Sequence, residues 1–312
     1  MKKDLMKYAD VAMFDAEPHE TWEPGRGVVP QVTLVNMTPR PLAALASFNE
    51  MYAGRVIRSL DDVSDEAMDQ ALADMSKTHL KAPLENIKFQ FLIEGVDRAF
   101  THQIVRQRTA VYAQESLRFA VLDNLREGVS LPPMLHGTSP DDTSDELGKM
   151  RQRWDETIDT IQNAYEWMIA NGMPAEDARG LLPHATATRL MYTTDCRNLA
   201  EHAGNRLCTQ AQYHWRSVFS QIVSQISEWG EMNDPDHRGE YHALSDSLMW
   251  RPKCWQVGKC AFKGTFDRAC SIRETVDELE AASVPPEDWD DHIAVDEWMF
   301  DPTAAIEAEV SL

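Results

Sequence analysis

The sequence predicts an α+β protein, and three observations carry that reading. Segments of β-compatible residues recur at 28–36, 87–93, 109–119 and 185–192, most of them set off by Gly, Pro or Asp. Between them lie stretches whose apolar residues return at intervals of three and four, the longest at 148–171. A chain of 312 residues, 43% hydrophobic, can close one core of mixed type, and it has no apolar run long enough to cross a membrane.

Residues 1–27 read as an irregular N-terminal extension, and Gly25 and Gly27 punctuate before the first strand, 28–36. Pro39 and Pro41 open a helix to about residue 53, because proline fits a helix's first turn. A second helix, 64–79, carries Met68, Ala71 and Met75 at helical spacing. Residues 81–83 break it, 87–93 form a strand, and Gly95 precedes a helix over 100–106 whose last turn bears Arg106 and Arg108. Residues 121–147 hold Pro132, Pro133, Gly137 and Pro140 among many acids and read as a long loop or lid. The helix at 148–171 presents Trp154, Ile158, Ile161, Tyr165 and Met168 on one stripe. A short helix, 175–182, stops at Pro183, and 185–192 is a strand. Asp195 then caps a helix to about residue 205, and Thr209 caps a long one to about residue 228.

Net charge is −21, which disfavours nonspecific binding to nucleic acid. The charge is uneven: the thirteen Asp and Glu after Arg273 meet no Lys or Arg, and without them the remainder carries −8. Residues 274–312 therefore read as a solvated acidic tail, or as an arm that docks through Trp289, Trp298 and Phe300. Five cysteines and no secretory signal point to a reducing, cytoplasmic setting. Cys254, Cys260 and Cys270 lie in a small, loop-rich extension, 230–273, with His237 and His242 upstream. Three thiolates plus His237 would suit zinc, the same thiolates could hold an iron–sulfur cluster with a fourth ligand from elsewhere, and three ordinary packed cysteines remain a third reading. Cys196 and Cys208 are expected in the core.

The densest chemistry lies in residues 101–119, THQIVRQRTAVYAQESLRF. Arg106 and Arg108 stand two apart, then Ser116 and Arg118, with Gln114 just before them. In a strand, Gln114, Ser116 and Arg118 share one face, Val111, Ala113, Leu117 and Phe119 the other, and Glu115 fits neither pattern. An amide, a hydroxyl and a guanidinium on one face suit a phosphate-bearing nucleotide, charge-assisted bonds of this kind being worth roughly 1.5–3 kcal/mol each. A solvated edge strand beside a basic helix end has the same composition.

The spacing Arg-x-Arg-x7-Ser with a further Arg resembles the signature of the flavin-dependent thymidylate synthases. Residues 32–54, 81–91 and 178–216 are similar to that family's other blocks in order and spacing, so the resemblance covers about residues 28–229. It implies a ThyX-like fold with a mixed central sheet flanked by helices, as a homotetramer with active sites at subunit interfaces. It further implies FAD-dependent methylation of dUMP to dTMP, with methylenetetrahydrofolate and NADPH as co-substrates. Gln103, Gln114, Ser116, Arg118, Arg179 and Arg206 fall where the family binds dUMP, with Arg206, Ser116 and Arg118 closest to the chemistry. Ser116 is expected as a ligand, not a covalent nucleophile. Arg106, Gln107, Arg108, Asn86, Asp195, Arg197, Glu201 and His202 fall on flavin-contacting positions. Several of these depart from the family: Gln107 and Asn86 replace histidines, Asp195 replaces an asparagine, Glu201 replaces Asn or His, and Phe119 replaces a tyrosine. Those departures leave open a methylase or hydroxymethylase of another pyrimidine nucleotide, or a non-catalytic nucleotide-binding relative.

Overall fold

The computed structural model describes residues 28–77, 81–118, 121–139, 141, 143–260, 270 and 272–293. The N-terminal extension, Phe119, Trp298 and Phe300 lie outside the described residues. In chain order the elements are β1 (Gln31–Met37), α1 (Pro41–Tyr52), α2 (Asp65–Lys77), β2 (Lys88–Asp97), α3 (Arg98–Ile104) and β3 (Val111–Gln114). They continue with α4 (Glu146–Ala170), α5 (Ala175–Ala178), β4 (Ala187–Asp195), α6 (Cys196–Arg206) and α7 (Tyr213–Asn233). Helices α8 (Arg238–Ser245), α9 (Lys253–Val257) and α10 (Arg273–Ala281) follow. The strands form one sheet in the order β1-β2-β4-β3.

The expected mixed sheet is antiparallel throughout. The end of β1 meets the start of β2 through Thr38 N–H to Lys88 O, and Cys196 N–H donates to Ile87 O where β4 ends beside the start of β2. Glu115 N–H donates to Arg189 O, so β3 and β4 also run oppositely. No helical crossover is then required between neighbours, and the helices are free to cap strand ends.

Two compact units divide the chain. Of the described residues, the first comprises 28–30, Glu94–Arg106 and those within Ala113–Leu190; the second comprises those within Gln31–Ile93, Gln107–Tyr112 and those within 191–293.

The first unit's core is the stripe read from α4. Ile158 and Tyr165 are buried there with Leu117, Leu122, Leu125 and Val129, and Trp154, Ile161 and Met168 pack against them. Residues 121–139 are irregular, as their prolines dictate. Leu122, Leu125, Val129, Leu131 and Leu135 are nevertheless buried, so the segment read as a long loop or lid contributes to the core. Gly95 sits inside β2 at φ 67°, and a Cβ there would lie 2.2 Å from the Val29 carbonyl oxygen. Only glycine admits that backbone approach.

In the second unit, α7 covers the edge strand β1. Gln221 and Gln225 accept hydrogen bonds from Val32 N–H (3.0 Å) and Leu34 N–H (3.1 Å), groups that an edge strand would otherwise leave to solvent. Helix α7 buries Trp215, Val218, Phe219, Ile222 and Ile226. It begins at Tyr213 after Gln212, so Thr209 is not its cap. The extension expected to be loop-rich carries α8 and α9, with Tyr241, Leu244, Trp250 and Trp255 buried. Helix α8 approaches α7 at Gly230, where a Cβ would lie 2.7 Å from the Tyr241 ring. Trp289 of the tail is buried against Trp255, ring centroids 5.5 Å apart.

Glu240 of α8 ties the extension to the first helix. Its carboxylate accepts from Leu42 N–H and Ala43 N–H, both at 3.0 Å, and pairs with Arg40. Helix N-terminal amides leave donors that a carboxylate satisfies while opposing the helix dipole. Arg40 itself lies at φ 48°, a strained conformation for a side-chain-bearing residue, and its N–H donates to the Tyr241 hydroxyl at 3.2 Å. Replacing Glu240 by Ala therefore leaves the mostly buried Arg40 with the exposed Asp61 as its remaining ion-pair partner among the described residues and two amides unmet, and we expect a loss of about 3 kcal/mol in urea unfolding. A change within about 0.5 kcal/mol would remove Glu240 from this role.

Candidate active site

Two aspartates place the helices that carry the sequence-predicted site residues. Asp97 ends β2, and its carboxylate accepts from Phe100 N–H at 2.6 Å to start α3. Asp195 ends β4, and its carboxylate accepts from Asn198 N–H at 3.0 Å to start α6. The cap at Asp195 was expected; the one at Asp97 was not.

In the first unit, α3 ends at Ile104, so Arg106 lies in a turn beyond the helix where its last turn was expected to carry it. Strand β3 stops at Gln114. Ser116 and Arg118 therefore leave the strand, and the one-face alternation drawn through them fails. The Ser116 hydroxyl instead accepts from Arg118 N–H at 3.4 Å in the turn that follows. The reason is Glu115, which pairs with Arg189 of β4 at 3.4 Å and has an 8% exposed side chain, drawing the chain inward where the pattern was already broken.

Gln114 Nε2 donates to Thr101 Oγ1 at 3.2 Å and to Thr188 Oγ1 at 3.5 Å, which fixes its amide between α3 and β4. Gln103 lies on the same helix as Thr101, half-buried. Arg118 and Arg179 are brought together by Glu176 of α5. Arg118 Nε lies 2.8 Å from the Glu176 carboxylate, and Arg179 Nε donates to the Glu176 carbonyl at 3.0 Å. Sequence reasoning missed Arg98 and Glu176. Burial lowers the Arg98 pKa, Glu115 raises it and neighbouring Arg179 lowers it, so a third guanidinium belongs to this cluster. Nothing in the local pattern marks Arg98, because its neighbours come from residues 115 and 179.

In the second unit, Gln107 is buried. Its Oε1 accepts from the Tyr192 hydroxyl at 2.5 Å, its Nε2 donates to Thr194 Oγ1 at 3.4 Å, and its backbone carbonyl accepts from the Tyr112 hydroxyl at 3.0 Å. Tyr112 and Tyr192 stack at 5.5 Å, and burial pushes the Tyr112 phenol up to about 12 and the Tyr192 phenol upward, so both remain donors. Arg108 follows in the second unit and is exposed; Arg106, also exposed, precedes Gln107 in the chain. Neither guanidinium has an ion-pair partner among the described residues.

Asp195 is likewise occupied: besides capping α6 it accepts from Asn198 Nδ2 at 2.9 and 2.8 Å and lies 3.6 Å from Lys88 Nζ. Asn86 ends a 3₁₀ turn, its carbonyl accepting from Thr38 Oγ1 at 3.3 Å. Arg197 pairs with Glu85 at 2.6 Å and with Glu201 at 3.5 Å, one helical turn away. His202 and Arg206 form the next such pair on α6, both against Trp215. The Arg206 guanidinium lies 4.2 Å from the Trp215 ring centroid, and the His202 ring stands edge-on to it at 6.3 Å. Burial first, then Arg206, hold the His202 pKa down to about 4, and its buried Nδ1 has no hydrogen-bond partner among the described residues.

The cysteines divide differently from expectation. Cys196 is buried on α6, but Cys208 lines a cavity with Cys254, Cys260 and Cys270. His237 does not line that cavity; its Nδ1 pairs with Asp234 at 2.7 Å. Among the described residues no three His, Cys, Asp or Glu side chains are gathered closely enough to hold one metal ion. None of the described helices is long and apolar enough to cross a membrane.

The family model described as thymidylate synthase complementing protein matches residues 33–230. The chain belongs to that family. Among relatives, the flavin-dependent thymidylate synthase of Pyrococcus furiosus is 28% identical over 244 residues, covering 77% of this chain and 93% of its own. The flavin-dependent thymidylate synthase of Geobacter sulfurreducens is 33% identical over 199 residues, covering 63% of this chain and 82% of its own. The structure of PolB from Streptomyces cacaoi, described as a UMP/dUMP methylase bound with 5-Br dUMP, shares the fold at a TM-score of 0.51 and 19% identity. That match covers 70% of this chain and 96% of PolB.

For a family member, this geometry separates residues that hold the fold from residues that remain available. Within the second unit, exposed Arg108 and the orphaned His202 Nδ1 are available to a ligand, whereas Gln107 and Asp195 are engaged within the protein. Replacing Gln107 by Ala would leave the Tyr192 hydroxyl and Thr194 without that partner, and we expect about 1–3 kcal/mol lost in denaturant unfolding. His202 yields a pH prediction. Its folded pKa lies below its unfolded value, so the unfolded state takes up a proton first as pH falls. The stability it confers is full above about pH 6.5 and is lost towards pH 4. Unfolding free energies measured across that window should fall more steeply for the native protein than for His202→Gln.

Proposed function

We propose that this protein is a flavin-dependent thymidylate synthase that converts dUMP to dTMP, using methylenetetrahydrofolate as carbon donor and NADPH as reductant. The observation that carries the reading is the family match over residues 33–230, with relatives of that name aligned over most of their own length. The arginines at Glu176 support it, since Arg118 and Arg179 both contact that residue and two guanidiniums on one residue suit a phosphate. We further propose that the protein is a homotetramer with its active sites at subunit interfaces.

Arg118 and Arg179 bind the nucleotide's phosphate, displacing Arg118 from Glu176; that pair is about half exposed and weakly held, so the exchange is easy. The Ser116 hydroxyl adds a donor at the same turn. It is no nucleophile, since no general base among the described residues is hydrogen-bonded to it. Gln103 and Gln114 orient the base, the latter already fixed by Thr101 and Thr188. We assign to Arg206, half-buried over Trp215, the stabilisation of the negative charge that develops on the pyrimidine, a role that low polarity would strengthen.

Bound FAD would pass electrons from NADPH to the one-carbon unit as it becomes the methyl group at C5. Arg106, Arg108 and His202 would hold it. Arg197, paired with Glu85 and Glu201, would contribute less, and Asn86, Gln107, Asp195 and Glu201 would shape the surrounding backbone and charge.

Purified protein should carry flavin and release tritium from C5-labelled dUMP faster than from labelled dCMP or UMP. Arg206→Ala should lower kcat by about 10²–10³-fold with unfolding behaviour unchanged. Full activity in Arg206→Ala would overturn the assignment of that residue, and a protein that binds no added FAD would overturn the reaction.

A further inference from the structure

Four cysteines distant in sequence meet in the second unit. Cys208 follows α6, Cys254 lies on α9, Cys260 just beyond it, and Cys270 leads into α10. All four line one cavity.

The surroundings suit a cluster of thiolates. Among the described residues no His, Asp or Glu lines the cavity, so the donors they offer are sulfur. In a chain of net charge −21, the charged side chains lining it among the described residues are Lys253 and Arg273. The Arg273 Nε is buried without a hydrogen-bond partner among the described residues. Thr209 Oγ1 donates to Cys270 Sγ at 3.0 Å, a bond of the kind that tunes a metal-bound thiolate. All five cysteines are free thiols.

Soft, all-thiolate donors select zinc or iron–sulfur. A single zinc ion needs its sulfurs about 2.3 Å from one point. Here the thiols stand around a cavity, and no three donors close on one ion. A cube of iron and sulfide spreads its four ligands around a larger centre.

We propose that Cys208, Cys254, Cys260 and Cys270 ligate a four-iron, four-sulfide cluster. Each thiol gives up its proton as its sulfur binds one iron, and the adjacent cations offset the resulting negative charge. The site is independent of the flavin and nucleotide residues and does not rest on the proposed reaction.

The test uses the full chain, purified without oxygen and reconstituted with equal amounts of ferrous and ferric iron and with sulfide, so that the assembled cluster needs no further oxidant. We expect about four irons and four acid-labile sulfides per chain, and an electron paramagnetic resonance signal after dithionite reduction. Cys208→Ala and Cys254→Ala should each lower bound iron by about tenfold or more, while Cys196→Ala retains it. Zinc without iron, no bound metal after reconstitution, or a full cluster in Cys208→Ala would each overturn the proposal. Should a variant fail to fold, the metal and sulfide content of the unaltered protein still decides.

Discussion

The candidate site depends on where two strands stop. Asp97 and Asp195 each end a strand and accept the first free amides of the next helix. A cap of this kind is worth only about 1 kcal/mol, yet it sets helical phase. Successive residues advance by about 100° around a helix, so moving the start of α6 by one residue would turn Arg206 off Trp215 and separate Arg197 from Glu85. The free energy is small and the positional consequence is large.

What the sequence made legible is what local periodicity or local chemistry encodes. The α4 stripe packs as its spacing implies, because a helix that buries one face must repeat apolar residues at three and four. Asp195 announces its helix because capping acts within three residues. Strand β3 was read too long, since Glu115 answers to Arg189, 74 positions away, and alternation cannot register that. Arg98, Glu176 and Cys208 were missed for the same reason: each acquires its meaning from partners that folding alone brings near. Lys253 and Arg273 had the same invisibility, one on either side of the cysteines they accompany.

The residues that the resemblance marks as departures follow a pattern in the second unit. Gln107 and Asp195 are both buried, and both make several hydrogen bonds to neighbouring side chains or backbone. A residue in such a place is constrained by geometry more than by a ligand's charge. That removes the apparent conflict between added carboxylate and an anionic cofactor at Asp195, whose charge is met by Lys88 and by Asn198. Glu201 is met by Arg197 in the same way.

The anchoring of α1 by Glu240 has a consequence for how the chain is made. The carboxylate that completes the first helix is synthesised some 200 positions after Arg40. Strand β1 waits almost as long for Gln221 and Gln225. At translation speeds of roughly 5–20 residues per second, that interval is on the order of 10–40 s. Throughout it the earliest strand and helix emerge from the ribosome with amides unmet and an apolar face open. Folding of the second unit therefore cannot be completed before Glu240 has been made, and until then β1 and α1 depend on something else to shield them.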